Sequence, residues 1–160
     1  MQGLSRTEFD LAEYAPIISE VIESGGEFRL FPRGTSMLPL IRQGVDSVIL
    51  IKPAEKLKKR EIIFYRRDNG QFVLHRILKV SKDGTYILCG DNQTALEKQV
   101  RRDSVIASVS AVYRSEKRVD VTAFSFRLYQ FFWCVMPIRK IIFFARRVLS
   151  KIKRIIKGQA

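Results

Sequence analysis

The sequence predicts a mainly β domain: a small, strongly bent antiparallel sheet or partly open barrel, with an N-terminal helix and a C-terminal basic amphipathic helical tail. Three observations lead there. Between Glu27 and Arg118, six short runs rich in Val, Ile, Phe and Tyr alternate with turn residues. On either side, the apolar spacing changes to the helical period. The charge also shifts along the chain. Residues 1–30 sum to −4, residues 31–118 to +9 and residues 119–160 to +8, within a total of +13 over 160 residues.

The first segment, residues 1–26, is expected to be helical from Thr7 to Ser24, with Leu11, Tyr14, Ile18, Val21 and Ile22 on one stripe. Thr7 can cap its start, and Gly25-Gly26 can stop it. Pro16 lies inside and predicts a kink or two short helices. This segment has neither the basic start nor the apolar run of a signal peptide.

The second segment, residues 27–118, is the expected β domain. Its strands are placed at 28–31, 47–51, 61–65, 72–80, 85–89 and 105–112. Pro32–Gly34, Lys52-Pro53, Asp68-Asn69-Gly70 and Lys82-Asp83-Gly84 mark the turns. Asn69-Gly70 between apolar runs is a hairpin signal. Such a series in about 90 residues fits a small bent sheet.

The third segment, residues 119–160, repeats isoleucines and other apolar residues at i, i+3, i+4 and i+7 from Ile138 to Ile156. Arg139, Lys140, Arg146, Arg147, Lys151, Lys153, Arg154 and Lys157 are expected mostly on the other face. Before them, residues 123–136 carry Phe124, Phe126, Phe131, Phe132 and Trp133. At 1.5 Å per residue this run reaches about 21 Å, short of the roughly 30 Å hydrocarbon core of a bilayer. Residues 123–157 therefore fit a peripheral anchor on an anionic membrane surface, aromatic residues at the headgroup boundary and cations toward lipid phosphate. Packing of the stripe on the β domain and binding to nucleic acid are the other readings. The latter is less expected, because exposed Phe, Trp and Ile suit lipid better than phosphate. The expected location is cytoplasmic and peripherally membrane-associated. Removing everything after about Asp120 is expected to release the chain from membranes yet leave the site from Ser36 to Asp91 assembled.

Cys89 and Cys134 show neither metal spacing nor a disulfide pattern, and no metal or cofactor motif is present. They read as reduced structural thiols.

Chemistry points to a few positions. His75 is the one histidine, so any acid–base chemistry that needs an imidazole must use it. Upstream, Gly34-Thr35-Ser36-Met37-Leu38-Pro39 forms a glycine-opened turn that can expose a nucleophilic serine. Downstream, Gly90-Asp91-Asn92 offers a carboxylate that can orient the imidazole. An ordinary packed histidine and ordinary turns would account for each feature taken singly.

Taken in order, these boxes resemble the signal peptidase I superfamily, which includes LexA-like self-cleaving repressors. The residues are Gly34-Thr35-Ser36-Met37-Leu38-Pro39, Leu57 to Tyr65, Val73-Leu74-His75-Arg76-Ile77 and Gly90-Asp91-Asn92, over residues 28–113. Histidine rather than lysine in the base box is similar to the Ser/His subtype. The resemblance implies a serine endopeptidase: Ser36 is nucleophile, His75 is general base, and the Ser36 N–H serves the oxyanion. It implies Asp91 as third member, with Glu97 as rival, and a peptide or precursor-leader substrate cleaved near small side chains. The chain departs from the superfamily in three respects. Where the superfamily has a spanning helix before the serine, Thr7–Ser24 is expected to be an acidic helix that cannot span. Gly44-Val45-Asp46 is one residue longer than the usual Gly-Asp pair, and the basic tail is added. Two alternatives come from other classes: a non-catalytic leader-peptide-binding module and a basic nucleic-acid-binding regulator.

Overall fold

The computed structural model describes residues 11–157, so the expected cap at Thr7 lies outside the described residues. Helix α1 (Leu11–Glu23) contains Pro16 without being divided by it. It buries Ala15, Ile18 and Ile22, and the two isoleucines pack in a core shared with the sheet. Its end is closed as the glycine pair predicts. Gly25 takes φ +84°, and the Gly26 N–H donates to the Val21 carbonyl at 2.8 Å.

Eight antiparallel strands form one open sheet: β1 (Phe28–Leu30), β2 (Ser47–Ile51), β3 (Ile62–Arg66), β4 (Phe72–Val80), β5 (Tyr86–Cys89), β6 (Glu97–Val100), β7 (Val105–Arg114) and β8 (Lys117–Asp120). Their order is β1-β2-β7-β3-β4-β5-β6, with β8 paired to β7. Register shifts within β2/β7, β3/β7, β4/β5 and β5/β6 bend the sheet without closing it. The mainly β expectation is met, and the six anticipated strands recur within a residue or two at their ends. Strands β6 and β8 were not anticipated. Both are short, charged and peripheral, and such strands lack the apolar alternation that reveals a core strand.

The Asn69-Gly70 signal gives the β3–β4 hairpin. Gly70 has φ +85°, and the Arg67 N–H donates to the Gln71 carbonyl at 2.8 Å. The pairing sets Ile63 opposite His75. Directly paired residues share a sheet face, so this register commits His75 to the side of Ile63 and Tyr65.

Both faces of the central strands are covered. One core joins Ile18 and Ile22 of α1 to Met37, Leu50, Phe64 and Val112. The other gathers Leu57, Ile63, Tyr65, Ile77 and Leu88. Met37 is the anchor for the serine turn: burying its side chain fixes the backbone one residue from Ser36.

Two helices follow the sheet, α2 (Phe124–Trp133) and α3 (Met136–Lys157). Phe126 joins the first core, and Trp133 is buried. Phe131, Phe132, Ile141, Phe144 and Leu149 stay at least half exposed. Among the described residues, no single helix is long and apolar enough to cross a membrane. Residues Phe124–Trp133 and Pro137–Leu149 together have the length and composition, but are bent by 86°.

Candidate active site

Ser36 lies in the turn between β1 and β2, half-buried. Gly34 opens the turn at φ +86°, and its N–H donates to Gln43 Oε1 at 2.7 Å. Leu38 N–H bonds to Thr35 and Ile41 N–H to Met37. The Ser36 N–H donates to no protein acceptor among the described residues, which leaves it able to serve a developing oxyanion. Further along, buried Asp46 closes the loop. It accepts from the Arg42 backbone N–H at 2.9 Å and from the Arg42 guanidinium at 2.8 Å. That guanidinium, ahead of the opposing effect of burial, holds the Asp46 carboxyl below its usual range.

His75, from the middle of β4, is 1% exposed. Its two nitrogens face different neighbours. Nδ1 lies 3.0 Å from Glu97 Oε1 and 3.3 Å from the Tyr65 hydroxyl. That hydroxyl donates its proton to Glu97 Oε2 at 2.5 Å. Since Tyr65 gives its proton to the carboxylate, Nδ1 must be the protonated ring nitrogen, and Nε2 is left as an acceptor.

Arg67 completes this cluster, donating from Nε to Glu97 Oε2 at 3.0 Å and also pairing with Oε1. Burial would raise the Glu97 carboxyl, but the hydrogen bonds from Arg67 and Tyr65 outweigh it and hold the carboxyl below its ordinary value. For His75 burial dominates. It pushes the imidazole below 6.5 despite the opposing charge of Glu97. The ring is therefore neutral at pH 7, as a general base must be.

Nε2 points toward the serine turn. A Cβ placed on Gly90 would lie 3.0 Å from His75 Nε2 and 2.7 Å from the Ser36 carbonyl oxygen. The imidazole and the Ser36 backbone thus flank one glycine, which must be a glycine because nothing larger fits. The Asn92 N–H donates to the Ser36 carbonyl at 2.6 Å. No hydrogen bond joins the Ser36 hydroxyl to His75 in this structure.

Asp91 is occupied elsewhere. It is fully buried and bidentate with Arg76, from Nε at 2.8 Å and Nη2 at 2.6 Å. The Tyr129 hydroxyl donates to its Oδ2 at 3.1 Å. Glu97 thus faces His75 Nδ1, the Ser36 backbone lies across Gly90 from His75 Nε2, and Asp91 is instead the ion-pair partner of Arg76. The sequence reading favoured Asp91 because it stands in the Gly90-Asp91-Asn92 box of the resemblance, with Glu97 as its rival.

Sequence reasoning also missed Tyr65, Arg67, Trp133 and Arg139. Tyr65 and Arg67 flank the end of β3 and gave no chemical signal beyond their type. Arg139, expected on the cationic face, is instead wholly buried against the Gly90 turn. Cys89 and Cys134 are free, and burial raises both thiols.

No curated protein and no solved structure matches the chain. A family model does: residues 3–110, through the serine turn, the histidine strand and most of β7, match the Peptidase S24-like family. That match agrees with the resemblance to LexA-like and signal-peptidase-like proteins, and the bent sheet carries the serine-peptidase-like boxes in the same order. The chain belongs to the Peptidase S24-like family.

Proposed function

We propose that this protein is a serine endopeptidase of the signal-peptidase type that cleaves peptides or precursor leaders at a membrane surface. In it, Ser36 is the nucleophile, His75 the general base, and Glu97, rather than Asp91, the orienting carboxylate. One observation carries the reading. The buried His75 ring gives Nδ1 to Glu97 at 3.0 Å and turns Nε2 toward the Ser36 backbone across Gly90.

The chemistry follows from that polarity. Ser36 Oγ attacks the scissile carbonyl carbon while Nε2 takes the hydroxyl proton. Glu97 then faces an imidazolium through Nδ1–H and stabilises it. The Ser36 N–H receives the oxyanion. Collapse breaks the C–N bond, and Nε2 returns its proton to the leaving amine. A water attacks the acyl-serine by the same route, releasing the acid and restoring Ser36.

A neutral imidazole and an ionised Glu97 are the protonation states this sequence needs at the outset. Tyr65 and Arg67 keep the carboxylate in place, in the manner of the supporting hydrogen bonds that hold other catalytic groups. The exposed aromatic and isoleucine side chains of α2 and α3, with Lys140 and Lys151 at the surface, support docking on anionic lipid.

The missing bond between the Ser36 hydroxyl and His75 favours a second reading, a leader-peptide-binding module without turnover. Labelling with a fluorophosphonate probe separates them. Covalent modification at Ser36, lost in Ser36→Ala and His75→Ala, supports the peptidase. Peptide binding without labelling supports the module.

A further inference from the structure

We propose that Arg139, with Trp133, is a positioning residue of this site, so that the C-terminal helices are part of the catalytic apparatus rather than a detachable tail. The proposal rests on the peptidase reading for its catalytic consequence, and on contacts alone for its geometry.

The Gly90–Gln93 turn is held from two sides. On one side it meets the reactive groups: the Asn92 N–H donates to the Ser36 carbonyl at 2.6 Å, and Gly90 sits against that carbonyl and His75 Nε2. On the other side it meets α2 and α3. Arg139 Nη1 donates to the Gly90 carbonyl at 2.9 Å, the Gln93 carbonyl at 3.2 Å and the Cys89 sulfur at 3.2 Å. Its Nη2 and Nε donate to the Trp133 carbonyl at 2.9 and 3.2 Å. Trp133 Nε1 donates to the Asp91 carbonyl at 2.8 Å. Three carbonyls of one turn therefore answer to two side chains from beyond residue 130.

Arg139 is 0% exposed. A guanidinium is seldom buried unless its donors are matched, and here the matching acceptors are mostly carbonyls of the turn and of the end of α2. Among the described residues, only the Asp91 carboxylate approaches with charge, 3.7 Å away and already paired with Arg76. The planar fork suits several acceptors at fixed angles, which an ammonium cannot copy. Loss of that fork frees the turn to move, and with it the Ser36 carbonyl. A shift of about 1 Å at the reacting atoms lowers rates by about a hundredfold.

On this proposal, removing the residues after Asp120 would disturb the site rather than leave it assembled. Tyr129, Trp133 and Arg139 would be removed together, exposing the Arg76–Asp91 pair and releasing the turn.

The test uses the full chain and two readouts. The first is the rate of fluorophosphonate labelling at Ser36 across pH. The second is hydrogen exchange at the Asn92 amide, which needs no turnover. Arg139→Ala should lower the labelling plateau by about a hundredfold and leave the acidic limb in place, because His75 and Glu97 are untouched. Arg139→Lys should recover part of that loss. Trp133→Phe keeps the packing, removes one bond, and should speed Asn92 exchange, so it decides the matter if Arg139→Ala does not fold. Wild-type labelling and Asn92 protection in folded Arg139→Lys and Trp133→Phe would overturn the proposal. If the wild type itself is not labelled, the peptidase reading fails, while the exchange data still decide whether the helices hold the turn.

Discussion

Glu97 and Asp91 lie six residues apart in sequence and serve different partners. Glu97 Oε1 stands 3.0 Å from His75 Nδ1, whereas Asp91 gives both its oxygens to Arg76. The two carboxylates are thus divided between an imidazole that can change its charge and a guanidinium that cannot. On the proposed peptidase reading, this division separates the group that would act in turnover from the group that holds the frame.

Exchanging each acid for its amide should therefore give different defects. Glu97→Gln should lower kcat by about a hundredfold or more with KM nearly unchanged, because the imidazolium loses its charge partner. Asp91→Asn should act first on stability. It leaves Arg76 buried without a counter-charge, at a cost of about 3–5 kcal/mol. Denaturant unfolding and single-turnover assays on both variants check this. A stable Asp91→Asn protein with the larger kcat loss would return the orienting role to Asp91.

His75 gives a pH signature with a definite sign. Its folded pKa lies below 6.5 because burial disfavours the imidazolium. The acidic limb of kcat/KM should accordingly fall below pH 6.5 rather than at it. Below pH 6.5 the unfolded chain also binds more protons than the folded one. This group's contribution to stability is thus present above pH 6.5 and is lost as pH falls toward the folded pKa. His75→Gln should remove both effects. Parallel pH profiles of labelling rate and unfolding midpoint would detect a base that titrates above 6.5, contrary to this account.

Gly90 is the cheapest probe of how closely the site is packed. Its backbone is not in the left-handed region, so alanine meets a spatial obstacle rather than a conformational one. The new methyl carbon would stand 2.7 Å from the Ser36 carbonyl, a backbone atom that cannot rotate away. Gly90→Ala should cost about 1–3 kcal/mol of stability, typical of overpacking. It should also reduce Ser36 labelling by about a hundredfold, since the serine turn and His75 must separate. Near-normal labelling of Gly90→Ala would mean that the turn yields without disturbing the reactive groups.

How much of this could be read from the chain depended on the kind of residue. The central strands were legible because Val48–Ile51 and Ile62–Tyr65 are apolar runs rich in β-branched and aromatic residues between turn signals. Strand β6, Glu-Lys-Gln-Val, has no such pattern, and its position at the sheet edge is set by pairing with β5. Glu97 was visible only through the resemblance, as the rival to Asp91. The ordered boxes around Ser36 and His75 were legible as a family pattern, and they lie within the residues that match the family model. Arg139 was not. It stands beside Lys140 in a run of cations, and only its burial against the Gly90 and Gln93 carbonyls sets it apart. Helical period alone assigns a charged residue to a solvent face.

The outer faces of α2 and α3 give the last prediction, and Arg139 dictates how it must be tested. Phe131, Phe132, Ile141, Phe144 and Leu149 are exposed, and Lys140 and Lys151 are at the surface. The 86° bend between the helices suits a surface-lying element better than a straight span. Deleting the helices would confound membrane binding with damage to the site, so point variants are required. Lys140→Gln with Lys151→Gln should weaken binding to vesicles rich in anionic lipid, at about 1 kcal/mol per cation, or roughly fivefold each. The loss should shrink in high salt, because exposed charges are screened. Phe131→Ser with Phe144→Ser should weaken binding in high salt as well, since burial of an aromatic side chain contributes about 1.5–3 kcal/mol that screening does not remove. Co-sedimentation with anionic and neutral vesicles, beside a DNA shift assay, supplies the comparison. Binding to DNA but not to vesicles would move the tail to nucleic acid. Binding to neither would leave the apolar face without a lipid role. Equal binding by all variants would show that lipid is engaged elsewhere on the molecule.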